Sequence, residues 1–226
     1  NVALSNGANA ILQSSTDVSC DGGSDGSAVV SISGGTPPYS YSWAPYGGTN
    51  ANASGLSAGN YVVSVSDANN CSTTVNVVIN DGAILVLQTA STPASCNGGM
   101  DGSASVIVNG GRSPYSYQWT GSSSTTSTAS NLGIGNHTVT ATDANGCTVT
   151  TQATITQNPA LTITSLSIVE PICAYDSTGV ISVTATGGTA PIVYSLNNGI
   201  PQLTGTFTGL VIDMYKITLI DNLGCS

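Results

Sequence analysis

Positive charge is almost missing from this sequence. Only 2 of the 226 residues are basic, Arg112 and Lys216, against 11 acidic residues, and the formal net charge is −9. A protein that binds nucleic acid needs clustered Lys and Arg side chains to neutralise phosphates. Nucleic acid is therefore excluded as a partner. Long apolar runs are also missing, and without a run of about 18 apolar residues no membrane span is expected.

Charged residues of either sign make up only 6% of the chain and 27 residues are glycine, a composition that could indicate disorder. Hydrophobic residues nevertheless make up 40% of the chain, more than a disordered chain carries. They alternate with smaller or polar residues in short runs, as at Tyr61, Val63 and Val65. Alternation is the period of a β-strand, and no segment has the 3.6-residue period of a helix. The sequence therefore predicts an all-β fold.

Three copies of one unit make up the chain. The six cysteines occur at positions 20, 71, 96, 147, 173 and 225, so successive first cysteines are 76 or 77 residues apart and the two cysteines of a pair are 51 or 52 apart. Three motifs repeat with them. The first is Cys20-Asp-Gly-Gly-Ser-Asp-Gly26, which recurs as Cys96-Asn-Gly-Gly-Met-Asp-Gly102. The second is Gly34-Gly35-Thr-Pro-Pro-Tyr-Ser-Tyr-Ser-Trp43, which recurs as Gly110-Gly111-Arg-Ser-Pro-Tyr-Ser-Tyr-Gln-Trp119 and as Gly187-Gly188-Thr-Ala-Pro-Ile-Val-Tyr-Ser-Leu196. The third is Asp67-Ala-Asn-Asn-Cys71, which recurs as Asp143-Ala-Asn-Gly-Cys147 and Asp221-Asn-Leu-Gly-Cys225.

The copies predict three domains at residues 8–81, 82–158 and 159–226. Each is expected to be an immunoglobulin-like β-sandwich of roughly seven strands. Residues 1–7 resemble the end of the first copy and are expected to be the last strand and linker of a preceding repeat, with 1–4 completing a sheet like that of the third copy. The third copy stops at Ser226, directly after Cys225, and is expected to lack its final strand.

These motifs together resemble SprB-type repeats, and more distantly polycystic-kidney-disease and immunoglobulin-like modules. SprB-type repeats occur in giant surface adhesins and appendage proteins of gliding and predatory Bacteroidota that the type IX secretion system exports. The resemblance implies a structural repeat region of an extracellular filament or cell-surface adhesin, without catalysis. Its partners would be neighbouring repeats or copies of the same protein, with surface glycans as a further hypothesis. The alternative is a carbohydrate-binding accessory array of a secreted hydrolase.

The cysteines are expected to form disulfides, because no Cys-x-x-Cys motif is present and a single histidine gives no metal-site pattern. Six cysteines allow 15 pairings. The repeat favours one disulfide inside each copy, which would place the protein outside the reducing cytosol. The expected pairs are Cys20–Cys71, Cys96–Cys147 and Cys173–Cys225.

Aspartates near the cysteines are candidate calcium ligands, since hard cations bind several oxygens. The bond Cys20–Cys71 would bring Asp25 towards Asp67, with Asp21 nearby, and the bond Cys96–Cys147 would bring Asp101 towards Asp143. Asp-Gly and Asp-Ala-Asn are also ordinary turn sequences. Calcium is therefore a hypothesis, and no other cofactor is expected.

Aromatic residues in the repeats are expected to be structural. The rings of Trp43 and Trp119, in line with Tyr41 and Tyr117, could stack on sugars, but their strand positions favour the sandwich core. His137 takes the position of Tyr61 and Tyr215 in the other copies, so we expect a core residue rather than a catalytic base. Asp176-Ser177-Thr178 resembles an O-glycosylation sequence of Bacteroidota, with Ser177 as the acceptor.

Overall fold

The structure is a computed structural model that describes residues 7–173 and 175–226. It contains 17 β-strands, and the described residues form no helix, which confirms the all-β prediction. No helix of the length and apolarity of a membrane span occurs in these two ranges. The strand expected at residues 1–4 lies outside the described residues, and the domain boundaries at 8, 82 and 159 stay predictions.

The first copy is a sandwich of two antiparallel sheets. Strands β1, β2 and β4 form one sheet in the order β1-β2-β4, and strands β3, β5 and β6 form the other in the order β3-β5-β6. This gives six strands instead of the expected seven. Their bounds are Asn9–Thr16 (β1), Gly26–Ser33 (β2), Ser40–Ala44 (β3), Asn52–Leu56 (β4), Gly59–Ser66 (β5) and Ser72–Ile79 (β6).

Alternation along β5 shows how the sequence produces this sandwich. Tyr61, Val63 and Val65 are buried, whereas the intervening Val62 and Ser64 face outwards. A strand sends successive side chains to opposite faces, so one apolar row faces the other sheet and forms the core. The core is completed by Val18, which lies between β1 and β2, and by residues from both sheets: Ala10, Ala28, Val30, Trp43, Ala53, Leu56, Val77 and Ile79.

The second copy repeats this plan, with sheets in the orders β7-β8-β10 and β9-β11-β12. Its strands are Val86–Thr92 (β7), Gly102–Asn109 (β8), Ser116–Trp119 (β9), Thr128–Leu132 (β10), Gly135–Thr142 (β11) and Thr148–Ile155 (β12). The three copies therefore form a tandem array of immunoglobulin-like sandwiches.

The third copy has a complete first sheet, β13-β14-β16, and a second sheet with only two strands, β15-β17. Within the described residues it has no counterpart of β6 and β12, as predicted. Its buried apolar core is correspondingly small: Ile181, Val183, Tyr194 and Leu219. The strands are Thr162–Val169 (β13), Gly179–Thr186 (β14), Val193–Leu196 (β15), Thr206–Leu210 (β16) and Ile217–Ile220 (β17).

The chain divides into two compact units that do not follow the copy boundaries. Unit 1 contains the first copy up to Leu87 together with 108–116 and 141–149 of the second copy. These two short segments carry the Gly-Gly turn and the second cysteine of the second copy. Unit 2 contains residues 88–107, 117–140 and 150–226. Each unit therefore includes parts of two successive copies, and each holds one disulfide.

Candidate functional site

Two disulfides form, and both join successive copies. In unit 1, Cys20 of the first copy bonds Cys147 of the second, and in unit 2, Cys96 of the second copy bonds Cys225 of the third. The two Cα atoms are 5.5 Å apart in each bond. The pairing predicted inside each copy is therefore wrong. In the described chain, Cys71 and Cys173 carry free, exposed thiols instead of disulfides.

The two cysteines of the first copy lie near opposite ends of that copy. Cys20 lies near the residues where the chain leaves the copy, and Cys71 lies towards the residues where the chain enters it. The loop of Cys20 packs against the linker that leaves the first copy: Gly22 N donates a hydrogen bond to Asp81 Oδ1 at 2.9 Å. A Cβ atom on Gly82 would lie 2.5 Å from the Cys20 carbonyl carbon, so linker and loop are in close contact. The second cysteine, Cys71, belongs to a turn that Asp67 ties to the Gly34-Gly35 turn. A Cβ atom on Gly35 would lie 2.9 Å from the Cβ atom of Ala8, where the copy begins. A first cysteine is therefore placed to meet the copy that follows.

A serine and an aspartate hold the loop of the first cysteine in the first and second copies. Ser19 N donates to Asp25 Oδ1 at 3.0 Å, and the Ser19 hydroxyl donates to Asp25 Oδ2. Gly23 N donates to Cys20 O at 2.9 Å and closes the turn. Hydrogen bonds from the Ser19 hydroxyl and backbone lower the pKa of Asp25. Ser95, Cys96, Gly99 and Asp101 make the same bonds in the second copy.

A buried aspartate holds the turn of each second cysteine. Asp143 is only 6% exposed, and its Oδ1 accepts hydrogen bonds from the backbone N–H groups of Asn145 and Cys147, both at 2.9 Å. Its Oδ2 accepts a bond from Arg112 N in the Gly-Gly turn, also at 2.9 Å. The carboxylate thus ties the cysteine turn to the Gly-Gly turn. Asp67 binds the N–H groups of Thr36, Asn69 and Cys71 in this way, and Asp221 those of Thr189, Leu223 and Cys225.

The second glycine of each Gly-Gly pair lets the backbone approach this carboxylate. Gly111 has φ +64°, and a Cβ atom there would lie 2.9 Å from Asp143 Oδ2. Gly188 has φ +61° and the same 2.9 Å approach to Asp221 Oδ2. Glycine adopts positive φ without the penalty that a side chain incurs. The Gly-Gly motif and the Asp-x-x-x-Cys motif are therefore two halves of one structure.

Asparagine side chains add polar contacts beside each disulfide. In unit 1, Asn145 Nδ2 donates to the Ser19 carbonyl oxygen at 3.4 Å. In unit 2, Asn158 Nδ2 donates to the Ser95 carbonyl oxygen at 3.0 Å and to Thr189 Oγ1 at 3.1 Å. Sequence reasoning missed the serines and these asparagines. The signal for the serines was present, because a serine directly precedes the first cysteine in two of the three copies.

Four of the five candidate calcium ligands are used in these hydrogen bonds. Asp67 and Asp143 bind backbone N–H groups, Asp25 and Asp101 bind serines, and Asp21 is exposed. Among residues 7–173 and 175–226, no group of three or more His, Cys, Asp or Glu side chains is placed to hold a metal ion. Calcium binding stays an untested hypothesis.

The candidate core residues have structural partners. Trp43 and Trp119 are buried, and their Nε1 atoms donate to the carbonyl oxygens of Asn50 at 2.8 Å and Thr126 at 3.0 Å. Their rings are therefore not surface platforms for sugars. Tyr41 and Tyr117 are half-buried, and Ser177 is exposed.

His137 makes the hydrogen bond that tyrosine makes in the other copies. Its Nε2 lies 2.9 Å from the carbonyl oxygen of Gly133, four residues earlier. The hydroxyl groups of Tyr61 and Tyr215 also reach the carbonyl oxygen four residues earlier, at 3.0 and 3.1 Å. Burial raises the pKa of Tyr61 to about 12. This shared contact gives the position a structural role.

Tandem sandwiches linked by disulfides define an immunoglobulin-like repeat array. Disulfides persist outside the reducing cytosol, so the two bonds indicate a non-cytoplasmic protein. The family model for the SprB repeat matches residues 12–48, 88–124 and 165–200. This chain carries three SprB repeats.

Several solved structures are similar to the chain. Three N-terminal domains of the Hoc capsid protein of bacteriophage RB49 match with 17% identity and a TM-score of 0.46, over 96% of this chain and 84% of that chain. The N-terminal eight immunoglobulin domains of the Down syndrome cell adhesion molecule match with 11% identity and a TM-score of 0.41, over 96% of this chain and 36% of that chain. No curated protein matches the sequence.

Trypsin tests the pairing, because it can cut only after Arg112 and Lys216. We expect denatured, unreduced, thiol-blocked Cys147→Ser protein to release fragment 113–216 alone, with 217–226 still attached to 1–112 through Cys96–Cys225. In the matched control Cys173→Ser, all three fragments should stay linked. Mass spectrometry that finds 217–226 attached to 113–216 in Cys147→Ser would contradict this pairing.

Acid should weaken the aspartate-anchored turns. Backbone hydrogen bonds, that of Arg112 first, hold the pKa of Asp143 below its usual value. A carboxyl group with a lowered folded-state pKa stabilises the fold above its unfolded pKa of about 4, and this stabilisation is lost as the pH falls through the folded-state value. We therefore expect Asp143→Asn to lower the Tm at pH 7 and to flatten the fall of Tm below pH 4.

The control for this titration is Asp21→Asn, because Asp21 is exposed and the second copy already has Asn97 at that position. Its Tm should follow that of the unmodified protein from pH 7 to pH 2. If Asp143→Asn gave the same curve as Asp21→Asn, the buried carboxylate would not be the anchor of the turn.

Proposed function

We propose that this chain is a structural repeat region of an extracellular bacterial filament or giant cell-surface adhesin that serves adhesion, gliding or prey attachment. The observation that carries the proposal is the placement of the disulfides between successive copies. A disulfide inside one sandwich stabilises that sandwich alone. A disulfide between copies joins neighbours by a second covalent connection beside the linker. Such a connection suits a protein that transmits force.

Composition and family support the same role. SprB repeats run through the chain, and only two Lys or Arg residues offer cleavage sites to trypsin-like proteases. In a repeat protein each unit adds length while its stability depends on its own core and on its neighbours. Catalysis has no part in the proposal. Its partners are neighbouring repeats and further copies of the same protein, and calcium ions and surface glycans remain hypotheses.

The alternative is a carbohydrate-binding array of a secreted hydrolase, and its candidate sugar-binding residues, Trp43 and Trp119, are buried. Sugar binding uses exposed aromatic faces, whereas Trp43 and Trp119 are 5% and 4% exposed. Their indole nitrogens are also occupied by backbone carbonyl groups.

Immunogold electron microscopy of the source bacterium tests the proposed location and role. Antibodies raised against this chain should label surface fibres on intact cells, and deleting the coding region should remove the label and reduce attachment under flow. Degradation of polysaccharides by the culture medium is the matched readout for the alternative. Unchanged attachment together with reduced degradation would reject the adhesin and favour the hydrolase array.

A further inference from the structure

The two disulfides close overlapping loops of the backbone. Cys20–Cys147 spans the connection between the first and second copies, and Cys96–Cys225 spans the connection between the second and third. Every peptide bond from Cys20 to Cys225 therefore lies inside at least one closed loop. Hydrolysis of any one of these peptide bonds leaves the two pieces of the chain joined by a disulfide.

Disulfides inside each copy would not do this. The predicted pairs would leave the connections between copies, residues 72–95 and 148–172, outside every closed loop. The linker between the first and second copies, residues 80–85, has no strand, and Ile84 within it is 61% exposed. Exposed irregular segments are preferred sites of proteolytic cleavage. The observed pairing therefore spans the kind of segment that proteases cut.

This linker is held separately by the two copies that it joins. Gly22 N of the first copy donates to Asp81 Oδ1 at 2.9 Å. At the other end of the linker, a Cβ atom on Gly111 of the second copy would lie 2.9 Å from Leu85 Cγ. Ala83 is exposed and lies between these two contacts. A cut after Ala83 therefore leaves each part of the linker in contact with its own copy.

Beside the first disulfide, the two copies are not closely packed. Asn145 Nδ2 donates to the Ser19 carbonyl oxygen at 3.4 Å, which is longer than the usual N–H···O distance of about 2.9 Å. A cleft of about 430 Å³ opens at the same place and is lined by residues 83–85 of the linker and 146–149 of the second copy. Stable interfaces are packed as densely as protein interiors. Once the linker is cut, the disulfide is therefore the main connection between these copies.

We propose that two neighbouring repeats separate only when two events coincide: hydrolysis of the backbone that connects them and reduction of the disulfide that spans this connection. Hydrolysis alone leaves the repeats folded and joined, and reduction alone leaves the backbone continuous. An array built in this way stays in one piece when a protease cuts between its repeats. The inference rests on the pairing of the cysteines and on the contacts at the linker, and it is independent of the cellular role proposed above.

The two events are separate reactions. Hydrolysis adds one water molecule to a peptide bond and leaves a carboxylate on one piece and an ammonium group on the other, and the sulfur atoms take no part. A dithiol such as dithiothreitol reduces the disulfide to two thiols by thiol–disulfide exchange, and its own two thiols become a disulfide. Two electrons and two protons pass from the dithiol to the protein.

A single engineered cleavage site tests the proposal. The protease Lys-C cuts after lysine, and Lys216 is the one lysine in the sequence. The variant Ala83→Lys/Lys216→Gln therefore has one site, directly after residue 83. The exposed thiols of Cys71 and Cys173 are alkylated before the folded protein is cut, so that they cannot exchange with the disulfides.

We expect the cut protein to elute from a size-exclusion column in one peak at the volume of the uncut protein, with an unchanged near-ultraviolet circular dichroism spectrum. Dithiothreitol should then divide it into two peaks, residues 1–83 and 84–226, whereas the uncut protein should stay in one peak. The matched control carries Cys20→Ser and Cys147→Ser in addition. It should divide on cleavage without any reductant.

Three kinds of result would overturn the proposal. Loss of the folded spectrum on cleavage, with the disulfides intact, would mean that the copies need a continuous backbone. One peak after both cleavage and reduction, or one peak from the cut control, would mean that other contacts hold the copies together. Resistance of the folded variant to Lys-C would mean that the linker is itself closed to proteases. None of these outcomes alters the immunogold labelling, so the two proposals fail separately.

Discussion

The bond between the first cysteine of one repeat and the second cysteine of the next is the constraint on which the arrangement of these repeats depends. It requires that the first cysteine of a repeat lies near the linker that leaves the repeat, and that the second cysteine lies towards the residues where the repeat begins. The linker contact of Cys20 with Gly82 and the tie of the Cys71 turn to the Gly34-Gly35 turn beside Ala8 meet this requirement. A disulfide is therefore available only to a pair of repeats.

The buried aspartates make this bond possible. Asp67, Asp143 and Asp221 each gather three backbone N–H groups from two separate turns, one of which carries the second cysteine. Burying a carboxylate is costly unless its oxygens are satisfied, and here backbone donors on two segments satisfy them. In the chain-entropy account, closing a loop as long as that between Cys20 and Cys147 stabilises the fold by about 5 kcal/mol. Small sandwiches have limited cores, so a contribution of this size matters to each repeat.

The sequence predicted the elements of the fold because local alternation determines them. Tyr61, Val63 and Val65 were expected on one face of a strand and are buried together. The spacing of the repeats also predicted that His137 takes the position of Tyr61. Both side chains make a hydrogen bond to the carbonyl oxygen four residues earlier.

Spacing could not predict the disulfide partners. A pattern in which each first cysteine bonds the second cysteine of the next repeat is as regular as one in which it bonds the second cysteine of its own repeat. The sequence separations in the bonds that form are 127 and 129. Choosing between the patterns requires knowing near which end of the sandwich Cys20 and Cys71 lie. That depends on long-range contacts such as Gly22 with Asp81, which leave no periodic signal. The calcium hypothesis used the same wrong pairing to bring Asp25 towards Asp67.

Pulling single molecules by their two ends tests most directly whether the disulfides connect successive repeats. The double variant Cys71→Ser/Cys173→Ser keeps both bonds, and its shortest covalent route runs through 1–20, 147–96 and 225–226. At about 3.5 Å per extended residue, the unfolded contour length should be about 260 Å when oxidised and about 790 Å after reduction. Bonds inside each repeat would leave this variant only Cys96–Cys147. An oxidised contour length of about 600 Å would therefore contradict the account.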